Sequence, residues 1–193
     1  MFAGGRRVRP PRTSPLGCFM RLATDPTLRD PLHGLYLALF KAKRVCPADF
    51  HRGRLTTIQT AIMGVEDYGW RVVGITREAL ELLATADFDK KNLPRQLCRG
   101  HIIDRIETTR LMFDRAEPLS LDEFFEKFLD ADRTVIMLNK QNDHTKQFPT
   151  YIEIDNPDAA LFPNGSLMSW KHRKQEREFL RQLHSAVMAK GQE

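Results

Sequence analysis

The amino-acid sequence predicts an α+β fold, dominated by helices, with a small β-sheet or β-hairpin in its C-terminal half. Three observations carry the prediction. Apolar residues recur at i, i+3 and i+4 in about six segments. Three or four short runs that read as strands lie between them, with Trp70 to Ile75 short, apolar and β-branched. Capping residues stand where the periodic segments begin.

Asp30-Pro31 carries the N-cap and N1 signature of a helix start. Leu32, Leu35, Tyr36, Leu39 and Phe40 then share one face, and Lys41, Lys43 and Arg44 close the helix, where cations suit the C-terminal dipole. A loop follows at Pro47. Leu55, Ile58, Ala61, Ile62 and Val65 predict a second amphipathic helix over 54–66, ended by Gly69. Trp70 to Ile75 reads as a strand, and Thr76 caps a helix with Ala79, Leu80, Leu82 and Leu83 inside. Residues 87–95 form a polar loop. Leu97 to Arg105 reads as a strand or a strand-to-helix turn, followed by a helix over 105–115. Ser120 and Glu123 form an S-x-x-E capping box before a helix that buries Leu121, Phe124, Phe125, Phe128 and Leu129. Thr134 to Leu138 is a buried strand, and residues 150–154 (TYIEI) predict another. Asn156-Pro157 and Pro163-Asn164-Gly165 are turns, and 170–189 is a final helix with Phe179, Leu180, Leu183 and Val187 inward.

Composition bounds the class of protein. With 193 residues, 41% hydrophobic and 28% charged, the chain is ordinary for a globular domain. A disordered chain, a collagen-like chain and a disulfide scaffold are excluded. No apolar run reaches the roughly 18–20 residues that span a bilayer, so no membrane partner is expected. The chain divides into a disordered basic tail over 1–24, a helical region over 25–90 and a mixed α/β region over 91–193; the last two are alternatively one continuous domain, 25–193. The tail is a basic arm or, if Met20 is the natural start, largely an upstream extension. Cys18, Cys46 and Cys98 show no CxxC or Cys/His pair at zinc spacing. They read as reduced cysteines of a cytoplasmic protein without structural zinc.

The net charge of +5 belongs entirely to the tail, whose five arginines meet no acid, so residues 25–193 carry 25 basic and 25 acidic side chains. Within this neutral body the charge is uneven. Residues 41–54 hold five basic groups and one acid, 89–115 seven and four, 171–193 six and three, while 116–132 hold six acids and one lysine. Three separated basic segments could converge on one patch that binds DNA; each alone also fits a solvated helix face.

Two segments suggest chemistry. Arg99-Gly100-His101-Ile102-Ile103-Asp104-Arg105 places a histidine at a strand end between cations, which suits a general base acting on water beside phosphate. Thr134 to His144 is a buried strand delivering Asn139, Asn142, Asp143 and His144 to one polar turn, a plausible hard-metal environment for Mg²⁺ or Mn²⁺. Trp170 to Lys174 adds an aromatic and basic start to the last helix. Glu153 and Asp155 lack the x-Lys that a D-x(n)-E-x-K nuclease site requires. No phosphate-binding glycine loop, GxSxG elbow or HExxH is present in the sequence.

RGHIIDR followed by TVIMLNKQNDH resembles the His-Me finger (HNH-type) nucleases over about residues 99–144, with the helix at 120–130 as an insertion between the two motifs. That resemblance implies a metal-dependent DNA endonuclease of restriction or phage type. His101 would be the general base, Asn142 and His144 the downstream metal ligands, and Asn139 the group that orients the base. Asp104 is a further candidate ligand. Arg99, Arg105, Lys171, Arg173, Lys174 and Arg177 would contact phosphate, and a homodimer is compatible with such an enzyme. Gly100 stands where many members carry an acidic or His ligand. The alternative is a non-catalytic helical DNA-binding regulator or protein-interaction module, with a helix-turn-helix within 30–45, 54–66 and 76–86. Local roles compete with the catalytic ones: His101 as a core or capping histidine, and Asn139 to His144 as a turn or cap.

Overall fold

The computed structural model describes residues 25–63, 70–89, 92–93, 96–143, 145–156, 159, 161–162 and 174–190. Helix α1 spans Pro26–Val45 and α2 spans Arg52–Met63; β1 (Val72–Ile75) and α3 (Arg77–Thr85) follow. Then come β2 (Leu97–His101), α4 (Arg105–Phe113), α5 (Leu121–Ala131) and β3 (Thr134–Leu138), a 3-10 turn over Asn139–Gln141, β4 (Ile152–Glu153) and α6 (Lys174–Lys190). The fold is α+β and helix-dominated, with one four-stranded mixed sheet in the order β2-β3-β1-β4.

Helix starts follow local chemistry. Thr76 accepts from the Ala79 N–H at the head of α3. Ser120 and Glu123 close a reciprocal capping box on α5, which satisfies main-chain donors that a helix start leaves open. Helix α1 begins earlier than Asp30-Pro31 predicts. Asp25-Pro26 carries the same signature, Asp25 accepts from the Thr27 N–H at 3.0 Å, and Pro31 lies inside the helix. A proline there removes one helical donor, a cost offset by burial of Leu32, Tyr36 and Phe40.

Strand β3 is central. It runs parallel to β1, with Val72 opposite Thr134 and Ile75 opposite Ile136, and antiparallel to β2, with Leu97 opposite Leu138 and His101 opposite Thr134. The short β4 pairs antiparallel with β1. Thus β1, from before residue 90, sits between two strands from after it. Alternation along β2 sends Leu97, Arg99 and His101 to one face and Cys98 and Gly100 to the other. The first face packs on α3 and α6, where Val72, Ile75, Leu80, Leu83, Ile136 and Leu180 form the core. On the second face Cys98, Val135 and Met137 meet Phe148 and Tyr151 of the segment after β3. Tyr151 and the Ile152 carbonyl crowd Gly74 so closely that a Cβ there would meet the Tyr151 ring.

Helices α1, α2, α4 and α5 make a second core of Leu32, Tyr36, Phe40, Leu55, Met112, Phe113, Phe124, Phe125 and Phe128. This layer lies beyond the strand ends where β2 passes into α4 and α5 into β3. Tyr36 is its internal tie: its hydroxyl donates to the Met112 carbonyl and accepts from the Leu119 N–H, both at 2.9 Å.

Candidate functional site: a buried charged junction and a basic corner

His101 ends β2, half-buried, with its ring edge-on to Trp70 at 4.6 Å between centroids. Asn139 opens the turn at the opposite end of the β2–β3 pair, where its N–H reaches the Gln96 carbonyl. Five strand steps separate His101 from the Asn139–Gln96 pair, about 16 Å at 3.3 Å per residue. Asn142 folds back under the other face: its Oδ1 lies 3.1 Å from the point a Cβ on Gly100 would occupy. His101 is the next residue, and the pleat turns it to the opposite face. Strand alternation thus puts His101 and the Asn142 amide on opposite faces of the sheet, and Asn139 at its other end. Asp104 caps α4, its carboxylate accepting from the Ile106 N–H at 2.7 Å, so it serves the helix start. His144 lies outside the described residues. Among the described residues, no three His, Cys, Asp or Glu side chains are grouped to hold a metal.

The expected phosphate contacts divide in the same way. Arg99 is 3% exposed and points into the core face. It donates to the Trp70 carbonyl at 3.0 Å and to the Phe162 carbonyl at 2.5 Å. Both aromatics have left-handed backbones, φ 68° and 56°, a conformation costly for bulky L-residues. Each is held at its N–H too. Trp70 donates to Asp132, and Phe162 donates to Glu176 at 3.3 Å. Asp132 also accepts from the Arg71 N–H at 3.2 Å. One buried guanidinium and two buried carboxylates thus fix two strained turns.

Burial sets the protonation of this cluster. It pushes the Asp132 carboxyl up to about 7, against the two N–H donors and the charges of Arg71 and Arg99. It pulls Arg99 down to about 10, opposed by Asp132 and Glu176. Arg105 is half-buried; its guanidinium stacks over Trp70 at 3.9 Å and donates to Thr60 at 3.1 Å. Arg99 is thus removed from phosphate, and Arg105 is spent on joining α4 to α2 and Trp70. Charge and spacing alone do not distinguish such arginines from surface ones.

Two basic segments do converge. Asp114, after α4, is ion-paired to Lys43 near the end of α1 and to Arg52 at the start of α2, the latter at 2.6 Å. Lys43 also donates to the Phe113 carbonyl at 3.1 Å. These cations hold the Asp114 carboxyl below its ordinary range, the Lys43 hydrogen bond most of all. Lys41, Arg44, Arg54, Arg110 and Arg115 stand exposed around this corner. The third basic segment goes elsewhere. Arg177 pairs with Asp87 at 3.1 Å and Asp89 at 3.4 Å, and Arg181 with Asp87 at 2.8 Å, so this face of α6 is largely neutralised by the turn after α3. Lys174 is exposed, and Lys171 and Arg173 lie outside the described residues.

No family model, curated protein or solved structure matches the chain. No described helix is long and apolar enough to cross a membrane. Asp132, Glu176 and Asp114 are the residues that sequence reasoning passed over. Nothing in their local sequence marks them, because their partners lie in other elements.

Proposed function

We propose that the chain binds nucleic acid through the corner where α1 turns into α2, gripping the phosphate backbone without hydrolysing it. The observation that carries this reading is the meeting of residues 41–54 with the end of α4 around Asp114. Five basic groups against one acid in 41–54 are joined there by Arg110 and Arg115, in a body whose total charge is zero. Asp114 pairs with Lys43 and Arg52, and Glu107 with Arg110, which leaves Lys41, Arg44, Arg54 and Arg115 as the uncompensated excess among the described residues. A polyanion gains from such a local excess through release of its counterions. Hydrolysis by the His-Me route would need His101 and a downstream ligand to share one water, and of the two downstream candidates the described one, Asn142, sits on the opposite face of the sheet from His101. Binding needs no such meeting.

A labelled DNA duplex tests this by fluorescence anisotropy over a salt series. The wild-type chain should bind at low salt without added metal. Replacing Lys41, Arg44 and Arg54 by Glu should weaken binding and reduce the slope of log K against log salt by about 0.9 for each phosphate no longer neutralised. Lys174→Glu, away from the corner, should leave the slope unchanged. A wild-type chain without salt-dependent binding refutes the reading, as does a triple variant that binds like wild type. Mg²⁺- or Mn²⁺-dependent cleavage products would restore the hydrolytic alternative.

A further inference from the structure

A groove of about 560 Å³ opens beside the carboxyl end of β3, far along the sheet from the Trp70 junction, between α3 and the start of β2. Its floor is Leu82 and Leu138. Glu78 stands on the α3 wall and Lys140 on the wall formed by the turn after β3. The neighbouring Glu81 is ion-paired to Arg77 at 3.0 Å. Glu78 and Lys140 are different: among the described residues neither has an ion-pair or hydrogen-bond partner. Two opposite charges thus border one groove without meeting each other, with apolar surface between them.

A ligand complementary to this surface carries an ammonium, a carboxylate and an apolar middle. We infer that the groove binds a short zwitterionic peptide with apolar side chains. Its amino terminus lies at Glu78, its carboxylate at Lys140 and its side chains on Leu82 and Leu138. The volume falls within the roughly 300–1,000 Å³ of small-ligand sites. The groove is open, so its polar interactions are solvent-screened and affinity is modest. This inference does not depend on the nucleic-acid reading, since the groove lies outside the basic corner.

The test uses the full ¹⁵N-labelled chain and the dipeptide leucyl-leucine, followed by amide chemical shifts. Saturable shifts should appear in 78–85, at Gln96 and in 138–140, with a Kd of about 1 mM. N-acetyl-leucyl-leucine, which lacks the ammonium, and leucyl-leucine amide, which lacks the carboxylate, should each bind about two- to fivefold more weakly, as expected for one exposed ion pair. Glu78→Gln should erase the discrimination against the acetylated form only, and Lys140→Gln the discrimination against the amide only. Both are surface changes that leave the core intact. The inference is overturned if no shift saturates by about 20 mM, well above a millimolar Kd. It is equally overturned if the blocked forms bind as well as the dipeptide, or if either variant leaves its paired discrimination in place.

Discussion

Tyr36→Phe is the sharpest probe of how the basic corner is held in place. The ring packing survives this change: Phe124 stacks on residue 36 at 4.8 Å and Phe113 lies at 5.3 Å. Only the hydroxyl is removed, and with it two hydrogen bonds. Met112 lies in the last turn of α4, where carbonyls have no intrahelical partner, so its oxygen depends on Tyr36. The Leu119 N–H, on a residue 2% exposed, depends on the same hydroxyl. Leaving each buried group unsatisfied costs about 1–3 kcal/mol. Partial relaxation brings the pair to about 2–4 kcal/mol, a fall in Tm of roughly 5–10 °C for a chain of this size. Urea unfolding followed by circular dichroism should show a lower midpoint with an unchanged slope. A loss below about 0.5 kcal/mol would mean that water or backbone relaxation satisfies both groups, and Tyr36 would then not be the tie between α1 and α4. Because Lys43 lies two turns further along α1, DNA affinity should fall with it under the proposed function.

Other changes test other parts of the fold. The Asp132 carboxyl titrates near 7 when folded and near 3.8 when unfolded. Between these values the native state holds a proton that the unfolded state has lost, so this group's contribution to stability falls as pH rises toward 7. Asp132→Asn should flatten the decline between pH 5 and pH 8 by an amount on the order of 2 kcal/mol, read from urea midpoints at several pH values; an unaltered pH profile would remove Asp132 as its source. Gly74→Ala meets the Tyr151 ring and the Ile152 carbonyl and should cost about 1–3 kcal/mol. Gly100→Ala meets the flexible end of Met137, 2.5 Å from Cε, and the Asn142 Oδ1 at 3.1 Å, both side-chain atoms and not backbone, and should cost less, about 1 kcal/mol; thermal unfolding that ranks the two the other way contradicts the packing described. Ser120→Ala removes the capping box and should lower stability by about 1 kcal/mol, measurable in the same unfolding assay.

Local signals in the sequence reach the elements but not their meeting. Thr76 and the Ser120–Glu123 box mark two helix starts to the residue, because a cap is settled by side chains within three positions. The strands at 72–75 and 134–138 follow from short β-branched runs, whereas 97–101 (LCRGH) has no β-branched residue and is held as a strand by its pairing with β3. The start of α1 does not follow as cleanly, since two Asp-Pro pairs compete, and Leu28, which packs against the helical core, is helical only from the earlier one. The candidate site is where local reading is weakest. RGHIIDR shows that His101 lies near cations, yet only the register of β2 against β3 determines that Arg99 and His101 face one way and Gly100, with Asn142 over it, the other. The convergence at Asp114 depends on the packing of α2 against α4, which no spacing in the chain encodes.

The order of strands in space also sets an order in time. Strand β3 lies between β1 and β2, yet it is synthesised after both. Helices α1, α2, α4 and α5 are all complete before residue 134 leaves the ribosome, so the Tyr36-centred core can close first. At roughly 5–20 residues per second, β1 waits several seconds for the strand that will pair with it. During that interval Val72, Ile75 and Leu97 have no sheet to bury them, and pairing β1 with β3 must close the long stretch of chain between them, a contact of high sequence separation. A nascent chain stalled before Thr134 would thus present a finished helical layer carrying two unpaired strands. A chaperone that shields short apolar strands would find its substrate there.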